Sequence, residues 1–328
     1  MKLKLETQAK SWPMREPFAI SRGVQTEQPT LHVYLTDETG LRGRGEACGV
    51  SYHDETPETM RAQIEAVRGR IEAGLTRQEL LAVLPAGGAR FAVDSALWDL
   101  EAKRSGRTAF DLAGVAANPV SVDFTIGIRD IANYEATARR YANFAVLKIK
   151  VDHHDPLAAL RAVRRGAPNP RLIVDPNQSW SVDLLKSLGS ELHALGVALL
   201  EQPIPIGDEA GLDGYTPPVP LCADELIDGV DDLQRAIGRF QFVNIKLDKS
   251  GGLTAALMLA DRAEALGFGL MVGCMAGSSL AMAPAMVLAQ RCAFADLDGP
   301  LLQAEDIEHG LIYENGVVAR PYDPRLWG

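Results

Sequence analysis

Short apolar segments that each end in a charged residue recur through the middle of the chain. Acidic residues end three of them: Asp175 follows Arg-Leu-Ile-Val, Glu201 follows Val-Ala-Leu-Leu, and Asp224 follows Pro-Leu-Cys-Ala. Lysines end the segments before and after these three, at Lys150 and Lys246. Successive ends lie about 22 to 26 residues apart, which is about the length of one strand, one helix and two short loops. This spacing predicts repeated βα units.

Repeated βα units predict a parallel sheet that closes into a barrel. Residues at the carboxyl ends of barrel strands converge on one mouth, where barrel enzymes place their catalytic groups. The charged strand ends should therefore meet there. The eight predicted strands are Val120–Ile126, Val146–Val151, Arg171–Asp175, Val197–Glu201, Pro220–Asp224, Phe242–Leu247, Gly269–Cys274 and Phe294–Leu297. The clearest predicted helices are Ile131–Asn143, Asp155–Arg165, Ser181–Leu195, Leu253–Leu266 and Ser278–Gln290.

The first part of the chain lacks this repeat and predicts a separate small domain. Its strands are expected at Lys2–Ala9, Thr30–Thr36 and Leu41–Ala47, and its helices from Thr56 or Thr59 to Ala73, at Thr76–Leu84 and at Gly88–Ser105. We therefore predict an α/β protein, a modified (β/α)8 TIM-type barrel with an N-terminal α+β capping domain. The expected bounds are 1–112 for the capping domain, 113–300 for the barrel, and 301–328 for a segment that returns to the capping domain.

Composition excludes several classes of function. The 328 residues carry a formal net charge of −10, which argues against a nucleic-acid partner, since such proteins usually present a basic face. The amino terminus lacks the apolar core of a signal peptide, and no apolar stretch is long enough to span a membrane. The four cysteines form no Cys-x-x-Cys pair, so we expect reduced thiols and a cytoplasmic location: Cys48, Cys222, Cys274 and Cys292.

The sequence Lys148-Ile149-Lys150 places two amines on one face of a strand, because side chains alternate with a period of two. A neighbouring positive charge lowers the pKa of a lysine, which allows the amine to act as a base near neutral pH. Lys148 could thus help to deprotonate Lys150. A solvated edge strand with alternating lysines would have the same local pattern, but the position one unit before the acidic residues favours a functional role.

The three carboxylates Asp175, Glu201 and Asp224 have two explanations. Each could cap a helix, as acidic residues in strand-to-helix loops often do. Three in consecutive units are better explained as oxygen ligands of a hard cation, and magnesium prefers such ligands. Lys246 lies shortly before Gly251-Gly252, which permits a tight turn, and we interpret Lys249 as a loop lysine.

In order, spacing and local context, these motifs resemble the enolase superfamily, in its muconate lactonizing enzyme-like subgroup. The resemblance covers essentially the whole chain. It implies a Mg2+ cofactor held by Asp175, Glu201 and Asp224, and acid/base roles for Lys150 and Lys246 on opposite faces of the substrate. Leu226 departs from the pattern, because related sequences often have serine there.

The end of the eighth predicted strand bears on the substrate. Asp296 and Asp298 share a face by alternation, and the pair resembles the Asp-x-Asp of dipeptide epimerases, which implies a role in binding the amino terminus of a substrate. A solvated acidic loop is the alternative. Thr125, Cys274 and Met275 would line the same mouth and are further candidates for substrate binding. Arg22 of the capping domain could bind a carboxylate of the substrate.

The resemblance therefore implies an isomerase that moves the α-proton of a dipeptide through an enediolate intermediate, with L-Ala-D/L-Glu as the first substrate to consider. Alternatives on the same scaffold are an N-acyl amino acid racemase and a lyase or cycloisomerase of the o-succinylbenzoate synthase or muconate cycloisomerase type. A barrel that binds metal without catalysis is a third alternative. The expected partner is a small molecule, without nucleic acid or membrane, and the protein is expected to form a homo-oligomer.

Overall fold

A curled sheet of eight parallel strands and a three-stranded antiparallel sheet form the framework of the protein. The computed structural model describes residues 2–21, 23–319 and 323–328. The parallel sheet runs in sequence order, and the antiparallel sheet belongs to the amino-terminal part. The predicted combination of a TIM-type barrel with an N-terminal α+β element is confirmed.

The amino-terminal part begins with a hairpin that is longer than the sequence predicted. Its first strand extends to Ile20 and its second strand begins at Gly23. This added length brings Phe18 and Ile20 to a cavity at the mouth of the barrel. The helix predicted from Thr56 or Thr59 to Ala73 is divided in two, and the Thr56 side chain caps the start of the first part. The elements are β1 (Leu3–Ile20), β2 (Gly23–Asp37), β3 (Arg42–Ala47), α1 (Pro57–Ala66), α2 (Arg68–Glu72), α3 (Arg77–Leu80), α4 (Gly88–Ser105) and α5 (Ala109–Ala113).

Two glycines allow β3 to lie directly against α4. A Cβ atom on Gly43 would lie 2.1 Å from the carbonyl oxygen of Ala96, and one on Gly45 would lie 2.1 Å from that of Ala92. Real Cβ atoms do not approach other atoms this closely. The absence of side chains at these two positions therefore permits the short distance between β3 and α4.

The barrel alternates strands with helices in the predicted order. The predicted first strand is interrupted: Val120–Ser121 joins a small sheet with the end of the chain, and only Phe124–Ile126 joins the barrel. Asp155 caps the helix that follows it, since its carboxylate accepts a hydrogen bond from Ala158 N at 3.1 Å. The stretch 207–220 contains only a short 3-10 turn. Up to the sixth strand of the barrel, the elements are β4 (Val120–Ser121), β5 (Phe124–Ile126), α6 (Ile131–Arg140), β6 (Val146–Lys150), α7 (Pro156–Gly166), β7 (Arg171–Asp175), α8 (Val182–Ala194), β8 (Val197–Glu201), β9 (Leu221–Ala223), α9 (Leu233–Ala236) and β10 (Phe242–Lys246).

The seam between the first and last barrel strands is narrow. No ladder joins these two strands in the described sheet, but Asp123 N donates a hydrogen bond to Ala295 O at 3.0 Å. Thr125 N also donates to the Asp298 carboxylate at 2.6 Å. Polar contacts thus complete the barrel at this seam. The remaining elements are α10 (Leu247–Ser250), α11 (Leu253–Ala265), β11 (Gly269–Gly273), α12 (Ser279–Ala289), β12 (Phe294–Ala295), α13 (Gly299–Leu302), β13 (Tyr313–Glu314) and β14 (Val317–Val318).

Helix α4 connects the amino-terminal part to the barrel mouth. The Arg90 guanidinium donates to Ser250 O at 2.6 Å and to Gly251 O at 3.1 Å. Asp94 accepts hydrogen bonds from both the backbone and the hydroxyl of Thr254. These contacts hold the turn that follows β10, where Gly251 has a φ of 77°.

The far end of the chain packs against the same helix. Gly328 N donates to the Asp99 carboxylate at 2.7 Å, and Trp327 Nε1 donates to Ser95 O at 2.9 Å.

The helices of the described residues include none whose length and apolar character would suit a membrane span.

We expect Gly45→Ala to destabilise the protein strongly. The added methyl group would meet the carbonyl oxygen of Ala92, and overpacking of this kind costs about 1 to 3 kcal/mol. The measurement is the free energy of unfolding in urea. Gly69→Ala in α2 is the matched control, because its Cβ would meet no atom within 4 Å, and it should leave stability unchanged or raise it slightly. Equal effects of the two substitutions would contradict the close approach of β3 and α4.

Candidate active site

A cavity of about 390 Å3 lies at the carboxyl ends of the barrel strands. Phe18, Ile20, Ser51 and Tyr52 of the amino-terminal part cover one side of it. Most of the residues singled out in the sequence line the other side: Thr125, Lys148, Lys150, Lys246, Cys274, Met275, Asp296 and Asp298. Asp175, Glu201 and Asp224 lie beneath them, each at most 1% exposed.

Lys150 and Lys246 lie on opposite sides of this cavity. Lys150 ends β6 and Lys246 ends β10, and four steps in a sheet of eight strands correspond to half of the barrel circumference. Both residues are almost fully buried, at 8% and 7% exposure. A molecule bound between them would present one face to each amine.

Lys148 is the centre of the charge network. Its Nζ lies 2.6 Å from Asp296 Oδ2, 2.8 Å from Glu201 Oε2 and 3.2 Å from Asp175 Oδ2. Burial alone would lower the pKa of this amine, but the carboxylates of Asp296, Glu201 and Asp175 outweigh burial and raise the pKa well above its usual value. Lys148 is therefore a buried ammonium that holds three carboxylates together.

The other two lysines each pair with one carboxylate of the strand ends. Lys150 Nζ lies 2.5 Å from Asp175 Oδ2, and Lys246 Nζ lies 2.7 Å from Asp224 Oδ2. Burial would raise the pKa of Asp175, but Lys150 and Lys148 lower it to about 2. The pKa of Asp224 also lies well below its usual value, because Lys246 and Lys249 outweigh the effect of burial. Both groups are therefore carboxylates.

Around Glu201, nearby lysines only partly offset the effects of burial and of the neighbouring carboxylates. Burial, followed by the charge of Asp175, raises its pKa to about 8. Asn244 Nδ2 donates to its Oε1 at 3.0 Å, whereas no described group makes a well-aligned hydrogen bond to its buried Oε2, although Lys148 lies near. Three carboxylates offer only oxygen ligands, and the buried Oε2 of Glu201 has no well-aligned hydrogen bond from the described residues, so the group fits a hard cation. Asp175, Glu201 and Asp224 are the residues that could hold one.

A second group of possible ligands is more tightly clustered. Ligand atoms of Cys274, Asp296 and Asp298 all lie within 4.8 Å of one another. Burial raises the pKa of the Cys274 thiol well above its usual value, and a metal would require the thiolate. Lys148 already pairs with Asp296. This group therefore fits a hard cation less well than the strand-end carboxylates.

Asp296 and Asp298 differ in their surroundings. Asp296 accepts hydrogen bonds from Lys148 and, at 3.3 Å, from the Thr125 hydroxyl. Burial would raise its pKa, but Lys148 and Lys150 lower it. Asp298 accepts from Thr125 N, and burial together with the charge of Asp296 raises its pKa to about 7. Both aspartates face the cavity, and Asp298 is the one that no lysine contacts in the described residues.

Loops of the amino-terminal part approach the barrel loops at two points. His53 Nε2 lies 3.3 Å from Asp228 Oδ2, and the Tyr52 ring packs edge-on against His53 with centroids 4.8 Å apart. On the other side, the Ser21 hydroxyl donates to Asn177 O at 3.3 Å. The candidate Arg22 lies outside the described residues.

Sequence reasoning was wrong about Lys249 and missed three further polar residues. Lys249 is 2% exposed and its Nζ lies 2.8 Å from Asp224 Oδ1, so it is a buried ion-pair partner rather than a loop lysine. The missed residues are Asp123, Asn177 and Asn244. Of these three, Asn244 lies within a strand, two positions before Lys246, so the alternation that linked Lys148 to Lys150 could have found it, whereas Asp123 and Asn177 lie outside the strands.

Comparison with known protein families assigns both parts of the chain. Residues 2–114 match the family described as mandelate racemase/muconate lactonizing enzyme, N-terminal domain. Residues 132–324 match the family described as enolase C-terminal domain-like.

Two characterised relatives and one solved structure are similar over most of their length. The L-Ala-D/L-Glu epimerase of Escherichia coli strain K12 is 41% identical, covering 93% of this chain and 96% of its own. The N-acetyl-D-glutamate racemase of a Pseudoalteromonas species is 40% identical, covering 87% and 91%. An enolase family member from Agrobacterium tumefaciens with homology to dipeptide epimerases is 44% identical with a TM-score of 0.96, covering 99% and 100%. That structure contains sodium and L-Ala-L-Glu, with an ordered loop.

We expect Lys148→Met to destabilise the metal-free protein severely. The substitution leaves Glu201 and Asp296 buried without their shared cation, and removal of one partner of a buried ion pair costs about 3 to 5 kcal/mol. Unfolding in urea with a chelator present measures the loss. Lys4→Met is the control, because Lys4 pairs with Glu6 on the surface and should contribute less than about 1 kcal/mol. A Lys148→Met protein as stable as the parent would contradict the proposed charge balance.

Proposed function

The chain belongs to the mandelate racemase/muconate lactonizing enzyme family of the enolase superfamily, and on this basis we propose that it is a Mg2+-dependent dipeptide epimerase. The observation that carries the proposal is the pair of buried lysines, Lys150 and Lys246, on opposite sides of one cavity above three carboxylates. Two amines that face each other suit the inversion of a stereocentre, whereas a lyase needs only one base.

The reaction inverts one α-carbon. One lysine, as the free amine, removes the α-proton of the carboxyl-terminal residue, and the other lysine, as the ammonium, returns a proton from the opposite face. The intermediate is an enediolate that carries two negative charges beside the reacting carbon. Lys148 remains an ammonium in this scheme, because the carboxylates around it raise its pKa.

Asp175, Glu201 and Asp224 would hold the magnesium ion. Sites of this superfamily use magnesium together with a lysine or histidine base. When bound, the ion supplies positive charge that stabilises the substrate carboxylate as negative charge develops on it. The three carboxylates are buried on the rigid ends of β7, β8 and just after β9, which fixes their positions before the substrate binds.

Asp298 and Asp296 are the groups that would bind the amino terminus of the substrate. Burial and the charge of Asp296 raise the pKa of Asp298 to about 7. An ammonium group beside Asp298 would stabilise its ionised form. Thr125, Cys274 and Met275 line the same side of the cavity. We propose L-Ala-D/L-Glu as the substrate, as in the Escherichia coli relative, with Arg22 as the partner of a substrate carboxylate.

A second candidate function is racemisation of an N-acyl amino acid. The relative named N-acetyl-D-glutamate racemase is nearly as similar to this chain as the dipeptide epimerase is. The same lysines and carboxylates would serve that reaction, because it also moves an α-proton beside a carboxylate. The two functions differ in whether the substrate nitrogen is charged.

A cytoplasmic location and a homo-oligomeric state complete the proposal. None of the four cysteines takes part in a disulfide among the described residues, which fits a reducing compartment. Light scattering coupled to size-exclusion chromatography would measure the oligomeric state.

Replacement of either catalytic lysine by methionine should abolish epimerisation of L-Ala-L-Glu. Loss of a positioned base or acid lowers the rate by about a hundredfold or more. In D2O with Mg2+, each variant should still exchange the α-proton of only one stereoisomer, because the remaining lysine reaches one face. Mass spectrometry measures the deuterium gained by L-Ala-L-Glu and L-Ala-D-Glu.

The control for these variants is Lys186→Met, whose amine contacts Gly211 O on the surface and should leave both activities unchanged. Near-normal epimerisation by either the Lys150→Met or the Lys246→Met protein would contradict a two-base mechanism.

Asp298→Asn should separate the two candidate functions. The asparagine oxygen can still accept the hydrogen bond from Thr125 N, so the change removes mainly charge. Loss of a charged partner is worth about 1.5 to 3 kcal/mol, so kcat/KM for L-Ala-L-Glu should fall about tenfold or more, with little change for its N-acetylated form. If the parent enzyme prefers N-acetylated substrates, N-acyl racemisation is the better assignment.

A further inference from the structure

Glu46 is a buried carboxylate of the amino-terminal part that the proposed reaction does not use. It lies near the end of β3 and is 0% exposed. Its Oε1 accepts hydrogen bonds from Trp12 Nε1 at 2.8 Å and from Ser278 N at 3.2 Å, and its Oε2 accepts one from the Ser278 hydroxyl. A single residue of the barrel therefore binds both oxygens of this carboxylate.

Ser278 is the N-cap residue of α12 and ends the segment that links β11 to this helix. Its hydroxyl accepts a hydrogen bond from Leu280 N at 3.2 Å and donates one to Glu46. The linking segment, residues 274–278, lines the main cavity with the residues from Cys274 to Ala276, and we call it the wall segment. Glu46 therefore holds one end of a wall of the cavity.

The wall segment has a backbone conformation that requires support from outside. Ala276 has a φ of 70° and Gly277 a φ of 112°. The left-handed conformation is unfavourable for a residue with a Cβ atom, and it persists only where surrounding contacts impose it. Cys48 Sγ donates a hydrogen bond to Ala276 O at 3.0 Å, and Glu46 fixes Ser278 two residues further along the chain. The support thus comes from the end of β3 and the loop that follows it.

The wall segment lies beside the aspartates that would bind the amino terminus of a dipeptide. Ligand atoms of Cys274, Asp296 and Asp298 all lie within 4.8 Å of one another. Gly299, the residue after Asp298, packs so closely against the wall that a Cβ atom there would lie 3.1 Å from Ala276 Cα. A substrate whose ammonium group binds Asp298 would therefore place the side chain of its amino-terminal residue near the wall segment.

We propose that Glu46 is a positioning residue that sets the selectivity for the amino-terminal residue of the dipeptide. Its carboxylate holds Ser278, and Ser278 fixes the wall against which that side chain would bind. Glu46 acts through the wall, without contact with the substrate. The selectivity rests on the proposed epimerase function, whereas the anchoring of the wall is a property of the protein alone and is tested separately.

Thiol labelling tests the anchoring without reference to activity. Cys48 is buried and contacts the wall, whereas Cys222 is buried inside the barrel on β9. Iodoacetamide treatment followed by mass spectrometry of the peptides measures the labelling rate of each thiol. Glu46→Leu removes the hydrogen bonds to Ser278, so the wall should open locally more often, and Cys48 should react about tenfold faster or more while Cys222 stays protected. In a folded variant, unchanged labelling of Cys48, or an equal gain at Cys222, would overturn the proposal.

Kinetics with two dipeptides test the selectivity. In Glu46→Leu, the ratio of kcat/KM for L-Ala-L-Glu to that for L-Leu-L-Glu should fall about tenfold or more, because a wall that is free to move contacts alanine less well and makes room for leucine. The change should be mainly in KM, with kcat for L-Ala-L-Glu within about threefold of the parent, since the lysines and the strand-end carboxylates are unchanged.

Glu46→Gln should restore nearly parental labelling and selectivity. The amide oxygen can accept the hydrogen bonds from Trp12 Nε1 and Ser278 N, and the amide nitrogen can donate to the Ser278 hydroxyl. Glu79→Leu is the matched control, because Glu79 also accepts hydrogen bonds from the backbone and the hydroxyl of one helix-capping residue, Thr76, but lies on the surface. This control should change neither the labelling of Cys48 nor the selectivity.

A merely structural role of Glu46 predicts a different pattern. Loss of folded protein would lower the apparent kcat for both dipeptides equally and leave KM and the ratio unchanged, and that result would contradict the proposal. If the parent protein epimerised no dipeptide, the proposed function would fail, while the labelling would still decide whether Glu46 anchors the wall. If Glu46→Leu does not fold, Ser278→Ala takes its place, and parental labelling and selectivity in that variant would refute the positioning role.

Discussion

The active site depends on a balance of buried charges at the mouth of the barrel. A buried charge is stable only when it is paired and hydrogen-bonded, so every ammonium in this region has carboxylate partners. The carboxyl groups outnumber the ammonium groups, which explains why a cation fits there. The ammonium groups are those of Lys148, Lys150, Lys246 and Lys249, and the carboxyl groups are those of Asp123, Asp175, Glu201, Asp224, Asp296 and Asp298.

The barrel makes this balance possible because it holds the charged groups on rigid strand ends. Successive strands present their carboxyl ends to one mouth, and strands four steps apart lie across it, as for Lys150 and Lys246. The amino-terminal part completes the site. Helix α4 holds the turn after β10 through Arg90 and Asp94, while the extended hairpin and the loop at Tyr52 cover the cavity. The surroundings of the substrate therefore come from both parts of the chain.

Sequence patterns predicted the barrel and the positions of its charged strand ends, because these depend on local periodicity. They were less accurate where packing between distant segments decided the outcome. The first barrel strand is interrupted after Ser121, since that residue pairs with β14 near the end of the chain. Lys249 resembled a loop lysine, yet it is buried against Asp224 because the short helix α10 turns it inward. The assigned roles of the site residues remain proposals that the experiments above test.

The sequence by itself determined which side chains share a face and which strand ends carry charge. A period of two in a strand and a repeat of 22 to 26 residues in the chain are local properties, and they bring Lys148, Asp175 and Glu201 to one mouth in any barrel of this kind. Only the tertiary structure decided that Thr125 N meets the Asp298 carboxylate and that Lys148 pairs with three carboxylates at once. Those contacts join the first and last strands or cross the barrel interior, and they form only when the sheet closes.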